Sequence, residues 1–189
     1  RPELDEGDAF ATEHGGTARV VPSFPVKALL GKKGVRALDR VTALAVATVG
    51  QLVNGGSATP VEVEPGTPVP DRALVLGTTT GSAQSMMEFT ESSFTGEKPF
   101  FVDPARFPNT VMNAAAGHTC LSLKIRGPLS TLATGTVSGL LGIGYAADLI
   151  GEGQADVMLA GAADELTPLI HLGYEHLGLL TDDDTRPYR

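Results

Sequence analysis

The sequence has no tryptophan and a single cysteine, and each shortage excludes a kind of structure. Aromatic residues make up 5% of the 189 residues, and the lone cysteine is Cys120. One cysteine excludes an intrachain disulfide and a metal cage built from cysteines. The composition is nevertheless globular, because 42% of the residues are hydrophobic and 23 are glycines. The core must therefore be built from small aliphatic side chains. The single cysteine makes a reducing cytoplasm the expected location.

Basic residues are also scarce, with 14 Lys and Arg against 22 Asp and Glu, which gives a net charge of −8. This balance argues against nucleic acid and anionic membranes as partners. The uncharged run 127–147 has the length of a membrane span, about 20 residues. It contains a proline, five glycines and five Ser or Thr residues. We therefore interpret it as a buried strand, turn and helix, and expect no membrane partner.

Phosphate-binding loops are missing as well. No Gly-Lys-Ser or Gly-Lys-Thr occurs in the sequence. The glycines at Gly139, Gly142 and Gly144 do not have the dinucleotide spacing and lie inside a predicted helix. They predict close packing of that helix on a sheet, and no nucleotide cofactor is expected.

The histidines do not form a metal-binding pattern. They are His14, His118, His171 and His176. The last two are five residues apart, which is poor spacing for one face of a helix. Nothing in the spacing indicates that Asp164 and Glu165 lie close to these histidines. We therefore expect no metal site.

Apolar runs alternate along the chain in a way that predicts an α/β fold. Helical spacing predicts helices at 38–53, 83–94, 138–150 and 168–180, with a further helix that starts at 108 and is stopped by 127. Continuous apolar runs predict buried strands at 73–77 and 156–160, and a short Thr-rich apolar run predicts a further strand at 130–134. This alternation predicts a parallel sheet with right-handed crossovers. Residues 1–25 are polar and turn-rich, and we interpret them as an irregular surface segment.

The stretch TLATGTVSGLLG, residues 131–142, predicts a sharp turn from strand to helix with Thr136 at its tip. Such an elbow exposes its apex residue beside helix-terminal N–H groups, and many enzymes keep a nucleophile there. A threonine hydroxyl is a weak nucleophile that needs a base, and none is adjacent in the sequence. Two interpretations therefore stay open, a small polar residue capping the turn or a nucleophile served by a distant base. We expect Thr136 to lie in a cleft.

Three segments occur in an order that resembles a known family. They read PNTVMNAAAGH (108–118), RGPLSTLATGTVSG (126–139) and ADLIGEGQADVMLAGAADE (147–165). Together they resemble the N-terminal half of a β-ketoacyl-acyl-carrier-protein synthase of thiolase fold. The resemblance implies a mixed, mainly parallel sheet covered by helices. It also implies that residues 26–189 form one incomplete domain whose C-terminal half is absent.

The chain departs from this family at the elbow. The family carries roughly Thr-Ala-Cys-Ser-Ser-Gly where residues 134–139 read TGTVSG. The resemblance therefore places Thr136 at the position of the acyl-accepting cysteine. Cys120 lies in the preceding helix and is not expected to substitute for it. The family's two catalytic histidines belong to the C-terminal half.

A second departure concerns the sheet. In the resemblance, the family's first strand would lie between the strands 73–77 and 156–160, and no such strand is visible before the first helix. Its absence predicts a gap of about two strand spacings, roughly 9–10 Å. Unpaired buried backbone groups are costly, so other residues or another chain should fill that gap.

The resemblance implies a subunit in fatty-acid or polyketide chain elongation. Because the cysteine is replaced, we expect a chain-length-factor-like partner of an active ketosynthase, paired through the strand 129–134 (LSTLAT) in a heterodimer. Acyl carrier protein would be a second partner and would bring the phosphopantetheine arm, so no cofactor is expected on the chain itself. Two alternatives remain. One is a carrier-protein-dependent decarboxylase, acyl hydrolase or acyltransferase that uses the elbow at Thr136, and the other is a structural scaffold.

Overall fold

A computed structural model describes residues 21, 25–31, 34–35, 38–53, 72–96, 98 and 100–181 of the chain. Contacts divide the chain into a main unit, Val26–Glu165, and a second unit that contains the helix after Leu166. Nearly all of the predicted irregular segment 1–25 lies outside the described residues. The assignment of residues 26–189 to one domain stays a prediction.

The main unit alternates helices and strands as the sequence predicts. Its elements are α1 (Val26–Leu30), α2 (Arg40–Val53), β1 (Arg72–Gly77), α3 (Ala83–Thr95), a 3₁₀ helix (Pro104–Thr110), α4 (Ala114–Leu123), β2 (Leu129–Leu132), a 3₁₀ turn (Gly135–Val137), α5 (Ser138–Gly151) and β3 (Val157–Ala162). The second unit holds α6 (Pro168–His176). Thr167 caps the start of this helix, because its hydroxyl accepts from the Ile170 N–H. No described helix is long and apolar enough to cross a bilayer.

One predicted helix begins later than the spacing suggested. The segment from residue 108 was expected to be helical, but α4 starts at Ala114 and a 3₁₀ helix precedes it. Pro104 and Pro108 lie in that 3₁₀ helix, and neither can donate a backbone hydrogen bond to a regular α-helix. The helix ends at Lys124, whose φ of 55° leaves the right-handed region. The prediction of one continuous helix was therefore wrong at its start.

The three described strands form one parallel sheet in the order β2-β1-β3. β1 pairs with β2, with Leu74 opposite Leu129, and with β3, with Leu74 opposite Leu159. The direct pairing runs to Gly77 opposite Ala162. The predicted gap between these two strands was therefore wrong. Their own N–H and C=O groups satisfy each other, and no intervening strand is needed.

Alternate residues of β1 pack on opposite faces of the sheet, because successive side chains of a strand point in opposite directions. Leu74 and Leu76 enter a buried cluster with side chains of α2, of α4 and of the loop after α4. Val75 faces the other way and packs with Ala146 and Leu149 of α5. The sheet therefore separates α2 and α4 on one face from α5 on the other.

Glycines let α5 approach the sheet at the carboxyl ends of the strands. A Cβ added to Gly77 would lie 2.6 Å from the carbonyl carbon of Ser138, and one added to Gly139 would lie 2.9 Å from the Cβ of Ala162. A Cβ at Gly142 would contact Val75 at 3.4 Å, whereas one at Gly144 would meet nothing within 4 Å. The predicted packing role is therefore confirmed for Gly139 and Gly142. This close approach fixes the start of α5 against β1 and β3.

Candidate active site at the strand-to-helix elbow

The predicted elbow is present. β2 ends at Leu132, and the chain turns through Gly135–Val137 directly into α5. Gly135 has a φ of 77°, in the left-handed region where glycine carries no steric cost. Thr136 follows it at the tip, as predicted. Its side chain is exposed, so the described residues do not enclose it in the expected cleft.

Ser138 braces the elbow from inside. Its hydroxyl donates to the carbonyl oxygen of Gly135 at 2.5 Å and accepts from the backbone N–H of Thr134 at 2.9 Å. Ser138 is only 2% exposed. The turn that carries Thr136 is therefore held by two hydrogen bonds of a buried side chain. Sequence reasoning missed this role, although a serine at the first position of a helix is a familiar sign of side-chain bonding to a turn.

A second set of polar groups joins the ends of β1 and β3. The Asp164 carboxylate accepts from the Thr78 hydroxyl at 2.9 Å, from the Thr79 N–H at 2.6 Å and from the Thr79 hydroxyl at 2.8 Å. The Thr79 hydroxyl also lies 3.4 Å from the carbonyl oxygen of Gly135 in the elbow. The ends of all three described strands therefore meet in one network.

Sequence reasoning also missed this network. The available signal was positional. Thr78 and Thr79 follow one buried strand, Asp164 follows another, and the carboxyl ends of parallel strands meet at one edge of a sheet. Those positions are 85 or 86 residues apart along the chain.

Glu165 connects the same edge to the start of α3. Its carboxylate accepts from the Gln84 N–H at 2.6 Å, at the first turn of that helix. Burial raises the pKa of the Glu165 carboxyl, the Gln84 N–H opposes that rise, and the negative charges of Asp39, Glu88 and Asp164 add to it. In the described part of the chain, no three His, Cys, Asp or Glu side chains converge as metal ligands would. Asp164 and Glu165 thus act here as hydrogen-bond acceptors for backbone and threonine groups.

Cys120 lies far from this chemistry. It is buried in the cluster that α2 and α4 form on Leu74 and Leu76. Burial raises the pKa of its thiol, which disfavours the reactive thiolate. The elbow lies at the start of α5, which packs on the opposite face of the sheet. The structure therefore confirms that Cys120 cannot take the place of a nucleophile at residue 136.

The predicted histidines do not gather at one place in the main unit. His118 lies half-buried in α4, whereas His171 and His176 belong to α6 in the second unit. His171 is buried, and His176 is exposed. His14 lies outside the described residues.

Comparison with known proteins identifies the family. The profile of the family described as "Beta-ketoacyl synthase, N-terminal domain" matches residues 10–189. The chain therefore belongs to the β-ketoacyl synthase N-terminal domain family. Its thiolase-like α/β fold, a parallel sheet covered by helices, agrees with that assignment.

Individual relatives are similar over most of this chain. The 3-oxoacyl-[acyl-carrier-protein] synthase 2 of Vibrio cholerae is 29% identical over 184 residues, which are 95% of this chain and 42% of the relative. The actinorhodin polyketide putative beta-ketoacyl synthase 1 of Streptomyces coelicolor is 29% identical over 153 residues, 77% of this chain and 32% of the relative. The solved structure of the ishigamide ketosynthase/chain length factor has a TM-score of 0.71 and 31% identity, covering 95% of this chain and 53% of that one. The chain thus spans less than half the length of these two curated relatives.

Proposed function

We propose that this chain serves acyl-chain elongation in fatty-acid or polyketide synthesis, in the cytoplasm, as a non-nucleophilic ketosynthase-family subunit that forms no covalent bond to the growing acyl chain. The observation that carries the proposal is the elbow, which has a threonine at its tip while the chain's one thiol is buried on the other side of the sheet. The names of the similar proteins support the setting, since they describe synthases of 3-oxoacyl chains and polyketides.

The chemistry of the elbow suits acyl binding better than acyl transfer. A threonine hydroxyl needs a general base to attack a thioester, and the Asp164 carboxylate is already engaged by Thr78 and Thr79. Backbone N–H groups at the start of the 14-residue helix α5 can still hydrogen-bond to an acyl carbonyl. In this proposal, acyl carrier protein presents the acyl group on its phosphopantetheine arm, and the chain needs no cofactor of its own.

The proposed partner is an active ketosynthase that pairs along β2. This strand lies at one side of the described sheet, and β1 occupies only one of its two edges. The Pro128 carbonyl accepts from the Leu74 N–H of β1, and the Leu132 carbonyl accepts from the N–H of Thr78, directly after β1. Because backbone groups alternate along a strand, Leu129 and Thr131 direct theirs to the other edge. That edge is where the strand of a partner would add. The similarity to the ishigamide ketosynthase/chain length factor supports a ketosynthase-family partner.

The edge can be tested by a proline that spares the existing ladder. Thr131→Pro removes an N–H directed away from β1, so the pairing with β1 is expected to survive. Thr131→Val is the matched control, because it keeps both the N–H and the β-branched shape. If β2 is the partner edge, the proline variant loses the dimer in native mass spectrometry of the protein with a copurified or coexpressed ketosynthase, and the valine variant keeps it. Equal association of the two variants would contradict pairing through β2.

The second function that the geometry favours is a decarboxylase, acyl hydrolase or acyltransferase acting at the exposed Thr136. Purified chain with malonyl-carrier protein and an acyl donor separates the two proposals. The leading proposal predicts neither 3-oxoacyl product nor release of CO₂. Release of CO₂ or free acid that Thr136→Ala abolishes would instead support the enzyme.

A further inference from the structure

The Asp164 network reaches the elbow through only one of its two threonines. Thr78 and Thr79 both donate to the Asp164 carboxylate, at 2.9 Å and 2.8 Å. The Thr78 hydroxyl also accepts from the Gly81 N–H at 3.0 Å, which braces the loop after β1. The Thr79 hydroxyl instead lies 3.4 Å from the Gly135 carbonyl oxygen. Two adjacent side chains of one kind therefore have different second contacts.

The Gly135 carbonyl matters because it shares a peptide unit with the Thr136 N–H. In a planar trans peptide, the C=O and the N–H point in opposite directions. The Gly135 oxygen is held by Ser138 at 2.5 Å and approached by Thr79 at 3.4 Å. The Thr136 N–H is consequently directed away from both of these side chains. Fixing the carbonyl thus fixes the direction in which the N–H at the tip can donate.

We propose that Thr79, held by Asp164, is a positioning residue that orients the Thr136 N–H toward the carbonyl oxygen of a bound acyl thioester. The inference rests on the proposed acyl-binding function of the elbow. A donor aimed at a developing oxyanion contributes most when its direction is set beforehand. The Asp164 carboxylate supplies this preorganisation, because it accepts from both the N–H and the hydroxyl of Thr79 and so holds that side chain in place.

A thiol at the tip makes the orientation measurable. In Thr136→Cys, the thiolate sulfur attacks the carbonyl carbon of an acyl thioester of N-acetylcysteamine. A new C–S bond forms, the oxyanion collapses, and N-acetylcysteamine leaves as a thiolate that takes a proton from water. Alkylation of the same thiol by iodoacetamide displaces iodide and forms no oxyanion. The ratio of the acylation rate to the alkylation rate therefore reports the oxyanion donor, separately from the reactivity of the thiol.

The test adds three substitutions to the Thr136→Cys protein. Thr79→Val should lower the acylation-to-alkylation ratio about tenfold, because a misdirected donor loses much of its effect. Thr79→Ser keeps the hydroxyl and should restore the ratio to within about twofold of the Thr136→Cys value. Thr119→Val removes a buried hydroxyl of α4 that donates to the Ala115 carbonyl, and it should lower the melting temperature while the ratio stays within about twofold. A ratio unchanged by Thr79→Val, or lowered equally by Thr119→Val, would overturn the inference.

Asp164→Asn provides an independent measurement if Thr79→Val does not fold. The amide oxygen still accepts from the Thr79 N–H, but the amide nitrogen now donates to the Thr79 hydroxyl. The Thr79 hydroxyl proton, which the parent shares between Asp164 at 2.8 Å and the Gly135 oxygen at 3.4 Å, is then directed to the Gly135 oxygen alone, and the ratio should rise about threefold. An unchanged or lower ratio counts against the positioning role. If the thiol of the Thr136→Cys parent is not acylated, the proposed function of the elbow is refuted. If that thiol is acylated but the ratio does not depend on Thr79, only this inference is refuted.

Discussion

The two faces of β1 differ in their surroundings, because one packs against α2 and α4 and the other against α5. On one face, Leu74 and Leu76 lie in a closed cluster with α2 and α4, and Cys120 is part of that cluster. On the other face, α5 packs through Val75 and two of its own apolar residues, and its first turn opens into the polar network at the strand ends. The difference shows why the Cys120 thiol does not lie near the elbow that carries Thr136. The thiol belongs to the packing face, and the elbow belongs to the face whose end is lined by hydroxyls.

The same contrast holds for exposure. Leu74 is 1% exposed, whereas Leu140 of α5 is 68% exposed. The β1 side chains that face α2 and α4 are therefore enclosed by the described residues. Much of the apolar surface of α5 is not covered by them. Substitutions on the two sides should accordingly have very different effects on stability.

The largest expected effect is on the closed face. Leu74→Ala leaves a cavity in a fully buried cluster and should lower the free energy of unfolding by about 3 kcal/mol. Leu140→Ala makes the same change on the exposed surface of α5 and should cost less than about 0.5 kcal/mol. Urea unfolding of both variants measures the difference. Similar costs would contradict the distinction between the two faces.

A smaller effect is expected at the elbow brace. Ser138→Ala removes the donor to the Gly135 carbonyl and the acceptor of the Thr134 N–H, and should cost about 1–2 kcal/mol. The matched control is Ser122→Ala, since Ser122 is exposed on α4 and should change the stability by less than about 0.5 kcal/mol. Thermal unfolding of the two variants measures this difference. A Ser138 variant as stable as the control would mean that the brace does not hold the turn.

The smallest effect is the pH dependence contributed by Glu165. Burial raises the pKa of this carboxyl above its ordinary value of 4.5, so the folded state binds its proton more tightly than the unfolded state. The contribution to stability is therefore fully present below the ordinary pKa, and it is lost as the pH rises through the raised one. Glu165→Gln keeps an acceptor for the Gln84 N–H, and its side chain does not titrate, so the variant does not lose this contribution to stability as the pH rises. The stability of the parent relative to Glu165→Gln should decline as the pH rises above 4.5.

Glu91→Gln, on the exposed side of α3, is the matched control for the removal of one carboxylate. A parent that gains stability relative to Glu165→Gln over the same pH interval would show that the charged carboxylate is favoured at this position. The influence of burial on Glu165 would then have been assigned the wrong sign.

Local patterns were sufficient for much of the fold. Two continuous apolar runs and one Thr-rich apolar run predicted all three described strands, and helical spacing predicted α2, α3 and α5 to within two residues. The tip position of Thr136 followed from a strand pattern, a glycine and a helix pattern in immediate succession. Each of these features depends on neighbours in the sequence. That is why they could be read from it.

The errors and omissions concern partners that are distant in the sequence. The strand order was mispredicted because the choice of neighbour for β1 is a tertiary property, which the apolar run itself does not encode. The Asp164 network was missed because its members become adjacent only when parallel strands align. The role of Ser138 could have been anticipated from its place at the start of a helix, since its bonds span three or four residues.

The central proposal is that Thr136 lies where the family carries its nucleophilic cysteine, at a strand-to-helix elbow that has a hydroxyl in place of the thiol. Mass spectrometry of Thr136→Cys after incubation with an acyl-carrier protein thioester tests it most directly, with Thr136→Ser as control. Helix-terminal N–H groups stabilise a thiolate, so the introduced thiol should be acylated and should react with iodoacetamide faster than the buried Cys120. An unmodified thiol at residue 136 beside a modified Cys120 would contradict the account.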